Sequence, residues 1–177
     1  ALERIEDSKG EGARVYIRVF KNAALAGAAA SDALRAQGIV PSPLAGTPVS
    51  VKDLCDVQGY TTWAGSKVLE GHPPAAKDAT VLARLRAAGA VVMGTTNMVE
   101  FALGAVGLNP HYDTPRNPWD RATGRVPGGS SAGAAVSVTD DMAAVALGTD
   151  TAGSIRMPAG FCGLVGFKPT GRRVPTD

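Results

Sequence analysis

A helix that leads directly into a continuous apolar strand is the feature that most limits the folds open to this 177-residue chain. Within residues 78–95, Asp78 is the predicted helix N-cap, and apolar residues recur at helical spacing until Gly89 ends the helix. Residues 90–95 are then apolar and small, which predicts a strand buried on both faces. The pair predicts an α/β domain whose central sheet is covered by helices on both faces.

Further segments supply the other elements of such a domain. Strands are predicted at 15–20, 47–53, 142–147 and 161–167, the last two being buried. Helices are predicted at 22–37, 97–103 and 134–138, the first of them ending before Gly38. Residues 107–125 contain three prolines and predict a long irregular loop, which in a compact domain is typical of a functional or mobile segment.

Composition excludes several classes of protein. Apolar residues make up 45% and charged residues 19%, which predicts a globular chain. The net charge is only +2 and the basic residues are scattered, so direct nucleic-acid binding is not expected. Cys55 and Cys162 form no CxxC pair, which predicts two small buried hydrophobes and a cytoplasmic protein. Asp140 and Asp141 interrupt the longest apolar run, so no membrane span is expected.

The small-residue stretch Gly148–Ser154 is the first candidate for chemistry. It follows a predicted strand, and its backbone N–H groups can converge on one anion without help from side chains. A serine at the end of such a turn has the ingredients of an acyl-transfer site. Taken alone, however, the stretch is more typical of an ordinary turn than of a catalytic loop.

Three kinds of catalytic site are candidates for this chemistry: a Ser-His-Asp hydrolase, a metal site, and a serine with a lysine base. Residues 129–133 match G-x-S-x-G with Ser131 at the centre, but His72 and His111 both precede that serine, which weakens a Ser-His-Asp hydrolase without excluding it. The two histidines also show no metal-binding spacing, so no metal site is expected. Lys52 is the remaining base, at the end of a β-prone run.

For Lys52 to accept a proton it must be neutral. Lowering its pKa from about 10.4 to about 7 costs roughly 4.6 kcal/mol, which lies within the shifts that full burial produces. A lone lysine is by default a solvated side chain, so Lys52 carries no function on its own. Asp53 follows it and would point to the opposite face of a strand, so the two need not pair.

Six segments of the chain occur in an order that resembles a known family: 43–53, 94–101, 116–120, 127–133, 148–156 and 163–170. They are similar to the amidase signature family of serine amidohydrolases and cover most of residues 40–175. The resemblance implies a mixed central sheet with helices on both faces, incomplete at its C-terminus. It also implies that residues 1–177 are the N-terminal portion of a single amidase domain, with a helical lead-in at 1–40 and a catalytic core segment at 41–177.

The resemblance implies a Ser–cis-Ser–Lys triad. Ser154 would be the nucleophile that forms the acyl-enzyme, Ser130 the bridging serine held by a cis peptide, and Lys52 the base. Ser131 is then only the neighbour of the bridging serine.

The resemblance also implies an oxyanion hole of four backbone N–H groups, those of Thr151, Ala152, Gly153 and Ser154. Ala152 and Ala132 stand where glycine is common in the family, and Ala152 would be disfavoured only if its φ were positive. We expect Asp150 and Arg156 to brace the loop.

The function implied is cleavage of the C–N bond of a small amide, with no metal and no organic cofactor. An alternative is the glutaminase subunit of the aspartyl/glutamyl-tRNA amidotransferase, which predicts a heteromeric complex; a homodimer is the other assembly expected. A non-catalytic fragment that keeps the fold is a further alternative, against which an intact triad argues. Because family catalytic domains are much longer, the chain alone is expected to be inactive or weakly active.

Overall fold

The computed structural model describes residues 1–175 and is built on a four-stranded mixed sheet. The strands are β1 (Tyr16–Val19), β2 (Pro48–Lys52), β3 (Val91–Thr96) and β4 (Val145–Leu147), in the order β1-β3-β2-β4. β2 is parallel to both β3 and β4, whereas β1 is antiparallel to β3. The predicted α/β class with a mixed sheet is confirmed. The last two residues of the predicted core segment 41–177 lie outside the described residues.

The helices are α1 (Leu2–Glu6), α2 (Gly12–Val15), α3 (Lys21–Ala36), α4 (Thr80–Ala87), α5 (Ala132–Thr139) and α6 (Arg156–Cys162). Short 3₁₀ turns occur at Lys67–Leu69 and Glu100–Ala102. The Ala-rich run forms α3 as predicted, and the chain leaves it through Gly38 at φ +75°. Within residues 1–175 no helix has the length and apolar character needed to cross a bilayer.

Side-chain alternation along β3 divides the core between the two faces of the sheet. Val91 and Met93 pack in one cluster with Val136 of α5. Val92 points the other way and packs with Leu82 of α4. Leu82 is fully buried, which contributes roughly 1.5–3 kcal/mol to stability. Helices therefore cover both faces, as the helix–strand pattern predicts.

Small residues let α5 approach the sheet closely. A Cβ on Gly133 would lie 2.5 Å from the carbonyl oxygen of Val15 and 2.7 Å from the nitrogen of Asn97, so only glycine fits there. About one turn further on, Ser137 and Ser50 of β2 share a hydrogen bond of 2.8 Å. These contacts hold α5 against the sheet and fix it beside β2.

The long loop predicted at 107–125 is irregular, as expected, and polar contacts fasten it to the beginning of the chain. The Glu11 side chain is 1% exposed and accepts from Arg116 through Nε at 2.8 Å and the backbone nitrogen at 3.0 Å. Asn97 Nδ2 donates to the carbonyl oxygens of Arg14 at 2.9 Å and Asp113 at 2.8 Å. A buried carboxylate paired in this way ties two segments that are distant in sequence.

Two helix predictions need correction. Ala79, not Asp78, is the N-cap of α4, because Asp78 instead accepts from the backbone nitrogen of Gln58 at 2.8 Å and pairs with Arg86 at 2.9 Å. Tertiary partners have outcompeted the local cap. The helix expected at 97–103 is only the 3₁₀ turn Glu100–Ala102, which Phe101 interrupts at φ +50°.

Two strand predictions also need correction. β4 covers only the last part of 142–147, and Val145, predicted to be buried, is 48% exposed. The strand predicted at 161–167 is wrong. α6 runs to Cys162, and Val165 and Phe167 beyond it are exposed and lie outside any helix or strand. A short apolar run without periodicity shows neither whether its residues form a helix, a strand or a loop, nor which surface covers them.

Candidate active site

The candidate site lies where the carboxyl ends of two parallel strands meet the N-terminal end of α5. The register of β2 and β4 pairs Val51 with Leu147, so Lys52 at the end of β2 lies beside the loop that starts at Gly148. Ser130 immediately precedes the segment that opens α5. In open α/β sheets, ligands bind at this edge, outside the carboxyl ends of the strands.

Lys52 is fully buried, and both of its hydrogen-bond partners are hydroxyls. Its Nζ lies 2.7 Å from Ser130 Oγ and 2.8 Å from Thr149 Oγ1. Burial lowers the pKa of the Lys52 ammonium to about 8; the Asp150 carboxylate, and Cys55 if ionised, act in the opposite direction. A pKa of about 8 leaves about a tenth of the lysine neutral at pH 7. The lysine can therefore serve as a base near neutral pH.

Asp53, next in sequence, lies in the turn that follows β2, so the strand does not continue through it and the expected alternation does not apply. Its side chain accepts from the backbone nitrogen of Gly65 at 3.1 Å, and the residue is 1% exposed. Burial raises the pKa of the Asp53 carboxyl to about 6. Among the residues that the structure describes, Asp53 and Lys52 form no ion pair.

Ser130 is fully buried, and hydrogen bonds from two earlier segments hold its backbone. The Gly129–Ser130 peptide is cis, as the family resemblance implies. The Ser130 carbonyl oxygen accepts from the nitrogen of Val99 at 3.0 Å, and the Gly129 nitrogen donates to the carbonyl oxygen of Ala105 at 2.7 Å. These bonds fix the backbone from which the Ser130 hydroxyl reaches Lys52.

Ser131, the centre of the G-x-S-x-G match, joins two loops. Its nitrogen donates to the carbonyl oxygen of Ser154 at 3.2 Å, and its hydroxyl donates to the carbonyl oxygen of Thr149 at 3.4 Å. His111 is paired with Glu100 at 2.9 Å, and no hydrogen bond in the described part of the chain joins a histidine side chain to Ser131. The Ser131 alternative therefore has no histidine base within these residues.

Asp150 braces the loop that carries Ser154, as expected. Its completely shielded carboxylate accepts from the backbone nitrogens of Gly153 at 2.8 Å and Ile155 at 3.2 Å, on either side of Ser154. Arg156 adds two side-chain bonds of 3.0 Å. The Arg156 guanidinium, together with the backbone N–H groups, holds the pKa of the Asp150 carboxyl well below its usual range.

The four backbone N–H groups expected to form the oxyanion hole differ in whether a protein atom accepts their hydrogen bond. The Gly153 N–H is engaged by Asp150. Among the described residues, those of Thr151, Ala152 and Ser154 have no protein acceptor. The positive φ of the loop, +123°, falls on Gly153 and not on Ala152, so the extra methyl of Ala152 causes no backbone strain.

Thr149 is a contact that sequence reasoning missed. Its hydroxyl is the second partner of Lys52, at 2.8 Å. Thr149 lies two residues after β4, which pairs in parallel with β2 and so brings the threonine beside Lys52. The sequence does not show which strands pair, so this contact could not be predicted from it.

A separate apolar groove of about 260 Å³ lies behind the loop. Its lining includes Val138, Val145, Ile155 and Leu164 but not Lys52, Ser130 or Ser154. No group of three or more potential metal ligands occurs within residues 1–175.

Known proteins are similar to this chain over most or all of its length. The family model described as Amidase matches residues 1–177. A glutamyl-tRNA(Gln) amidotransferase subunit from Syntrophobacter fumaroxidans is 50% identical over 159 residues, which are 90% of this chain and 32% of that protein. AtzE, a 1-carboxybiuret hydrolase subunit from Pseudomonas sp. (strain ADP), is 51% identical over 147 residues, 83% of this chain and 32% of that protein.

Solved structures give the same result. A structure of the peptide amidase PAM is 40% identical with a TM-score of 0.81, over 95% of this chain and 35% of that one. A structure of a vestigial protein complex, reported for the origins of an s-triazine catabolic enzyme, is 46% identical with a TM-score of 0.85, over 92% and 35%. The chain thus spans about a third of the length of these relatives. Because the family model matches along its entire length, the chain belongs to the amidase family.

Proposed function

We propose that this chain carries the catalytic residues of an amidohydrolase that cleaves a carboxamide C–N bond through a serine acyl-enzyme. The observation that carries the proposal is the 2.7 Å contact between Lys52 Nζ and Ser130 Oγ, made by a fully buried lysine. A lysine whose partners are hydroxyls and not carboxylates can lose its proton without breaking an ion pair. Ser130 supplies the first hydroxyl of the relay, and the bond from the Ser131 nitrogen to the Ser154 carbonyl oxygen, 3.2 Å, holds the Ser154 backbone next to it. Among the described residues no hydrogen bond joins the hydroxyls of Ser130 and Ser154, so this link of the relay belongs to the proposal.

In the proposed reaction, neutral Lys52 accepts a proton from Ser130 as Ser130 accepts one from Ser154. Ser154 Oγ then forms a bond to the amide carbonyl carbon, and the carbonyl oxygen becomes an oxyanion. Backbone N–H groups that have no protein acceptor among the described residues, at Thr151, Ala152 and Ser154, are suited to stabilise that charge.

The relay then runs backwards. The proton that Lys52 received passes through Ser130 to the leaving nitrogen, the C–N bond breaks, and an acyl ester on Ser154 remains. Water, deprotonated through the same relay, attacks the ester and releases the acid. As the bond between Ser154 Oγ and the acyl carbon breaks, the proton taken from water passes from Lys52 through Ser130 to Ser154 Oγ and restores its hydroxyl. Both steps balance with protons that Lys52 receives and releases, so the proposal calls for no metal and no organic cofactor.

Substrate and assembly also belong to the proposal. The names of the relatives include a peptide amidase, one subunit of a hydrolase and subunits of amidotransferases. The 50% identity to the Syntrophobacter amidotransferase subunit supports a second candidate, a glutaminase that works within a heteromeric, cytoplasmic amidotransferase. Glutamine turnover that appears only when partner proteins are added would favour this candidate over a free-standing amidase.

Labelling with a fluorophosphonate, read by mass spectrometry, tests the proposed nucleophile. The protein should carry this segment within a chain of the relatives' length. We expect the label on Ser154 and its loss in Lys52→Ala, while the exposed-lysine variant Lys77→Ala keeps it. A label on Ser131 would favour the alternative hydrolase, and a protein that takes no label would favour a non-catalytic role.

A further inference from the structure

We infer that Thr149 is a positioning residue for the proposed relay: its hydroxyl turns the amine of Lys52 so that the nitrogen lone pair faces Ser130. The inference rests on the proposed function and adds a residue that acts only through the lysine. The observation that carries it is the second hydrogen bond of Lys52, 2.8 Å from Nζ to Thr149 Oγ1.

A neutral lysine must be oriented as well as deprotonated. As an ammonium, Lys52 donates to both hydroxyls; as a neutral amine it has two N–H groups and one lone pair. To receive the proton of Ser130, the lone pair must point along the 2.7 Å line to Ser130 Oγ. An N–H must then point elsewhere, and Thr149 Oγ1 is the acceptor in place for it. Without this acceptor, the amine can rotate about its Cε–Nζ bond, and the orientation in which its lone pair faces Ser130 is less favoured.

The backbone of Thr149 is fixed independently of its hydroxyl. Its carbonyl oxygen accepts from Ser131 Oγ at 3.4 Å. The carboxylate of the next residue, Asp150, accepts from the Gly153 nitrogen and so stabilises the turn within the loop. The same loop carries Ser154. One segment therefore presents both the acceptor that orients the base and the proposed nucleophile, and a change in the hydroxyl alone leaves the loop anchored.

The charged groups around Lys52 do not change when Thr149 is replaced. Asp150 is the ionised group that influences the lysine, Cys55 would do so only as a thiolate, and Asp53 accepts instead from the backbone nitrogen of Gly65. A hydroxyl that accepts from an ammonium favours the charged form. Loss of that hydroxyl therefore moves the acid limb of the pH–rate profile to lower pH, and a loss of packing alone would not do so.

The test compares Thr149→Val, which removes the acceptor and keeps the shape, with Thr149→Ser, which keeps the acceptor. In the protein of the relatives' length, we expect Thr149→Val to lower kcat about 10- to 100-fold with little change in KM. Its acid limb should shift downward by about half a pH unit. Thr149→Ser should stay within about threefold of the unmodified protein. Thr139→Val, a half-buried threonine at the far end of α5, is the matched control.

Two results would overturn the inference. One is a Thr149→Val enzyme with the original rate and acid limb; the other is a Thr149→Ser enzyme as impaired as Thr149→Val, which would assign the effect to packing. If Thr149→Val fails to fold, Thr149→Ala decides in its place by the same criteria. Fluorophosphonate labelling separates the two proposals. Absence of label on Ser154 in the unmodified protein rejects the proposed function and this inference together. Label that requires Lys52 but proceeds at full rate in Thr149→Val rejects the inference alone.

Discussion

Lys52 and Asp53 are adjacent and almost completely buried, but Lys52 ends β2 and Asp53 lies in the turn that follows, and their side chains have different surroundings. Burial shifts the pKa of each toward its neutral form, down to about 8 for the lysine and up to about 6 for the aspartate. The lysine faces two hydroxyls, one of them on the loop that carries Ser154. The aspartate faces a backbone N–H and has one oxygen, Oδ1, without a partner among the described residues.

Two residues near Asp53 also have buried polar atoms without a hydrogen-bond partner in the described part of the chain. Trp63 Nε1 and Thr95 Oγ1 are also buried without hydrogen-bond partners within residues 1–175. The Arg18 guanidinium lies 4.2 Å from the centre of the Trp63 ring. The comparison shows that burial alone perturbs a pKa, whereas a chain of proton-carrying partners is what turns the perturbation into a candidate relay.

The largest expected effect separates the two residues by activity. Lys52→Met removes the proposed base and fills the same space with an apolar side chain. We expect kcat/KM to fall about 10³-fold while the thermal midpoint is kept or raised, because a buried charge has been removed. Asp53→Asn is the matched control at the neighbouring buried position and should retain activity within about threefold. An equal loss in both variants would end the distinction between the two residues.

The next effect concerns stability and arises at Asp53. The pKa of Asp53 is raised to about 6 in the folded protein, above the ordinary value of about 3.9, so its contribution is fully present below about pH 4 and is lost as the pH rises through 6. The shift corresponds to about 3 kcal/mol. Asp53→Asn does not titrate, so the difference in unfolding free energy between the two proteins should change by that order between pH 4 and 7. Denaturant titrations at several pH values measure it, and a constant difference would contradict the raised pKa.

The smallest effect concerns the thiol near Lys52. Burial raises the pKa of Cys55 to about 11, so the thiol stays protonated over the range in which Lys52 titrates near 8. An uncharged thiol exerts no charge effect on the lysine. Cys55→Ala should therefore leave the acid limb of the pH–rate profile within about 0.3 pH unit of its original position. A larger shift would mean that the thiol ionises and belongs to the relay.

The sequence predicted those features that depend on local pattern. The helix–strand pattern around residues 78–95 predicted the class of fold, and the β-prone run that ends in Lys52 predicted β2, although β2 stops before Asp53. The family resemblance assigned Ser130 its cis peptide, which the structure contains. Each of these features is encoded within a few residues of where it occurs.

Features that depend on distant partners were missed or misassigned. Thr149 reaches Lys52 only through the parallel register of two strands, and Asp78 left its helix cap for Gln58 and Arg86. Val165 and Phe167 were predicted to be buried because they are apolar, yet they are exposed. Apolar character states that a side chain favours burial, but it does not state which surface buries it.

The buried bond between Glu11 and Arg116 bears on the order in which parts of the chain fold. The two residues are separated by 105 positions, so the carboxylate of Glu11 must remain hydrated until the chain around Arg116 arrives. Closing so long a loop is slow compared with forming the helices on either side of it. Residues 100–130 contain Arg116, and Asn97 just before them bonds both Arg14 and Asp113, so this segment is expected to order late, after the helices have formed.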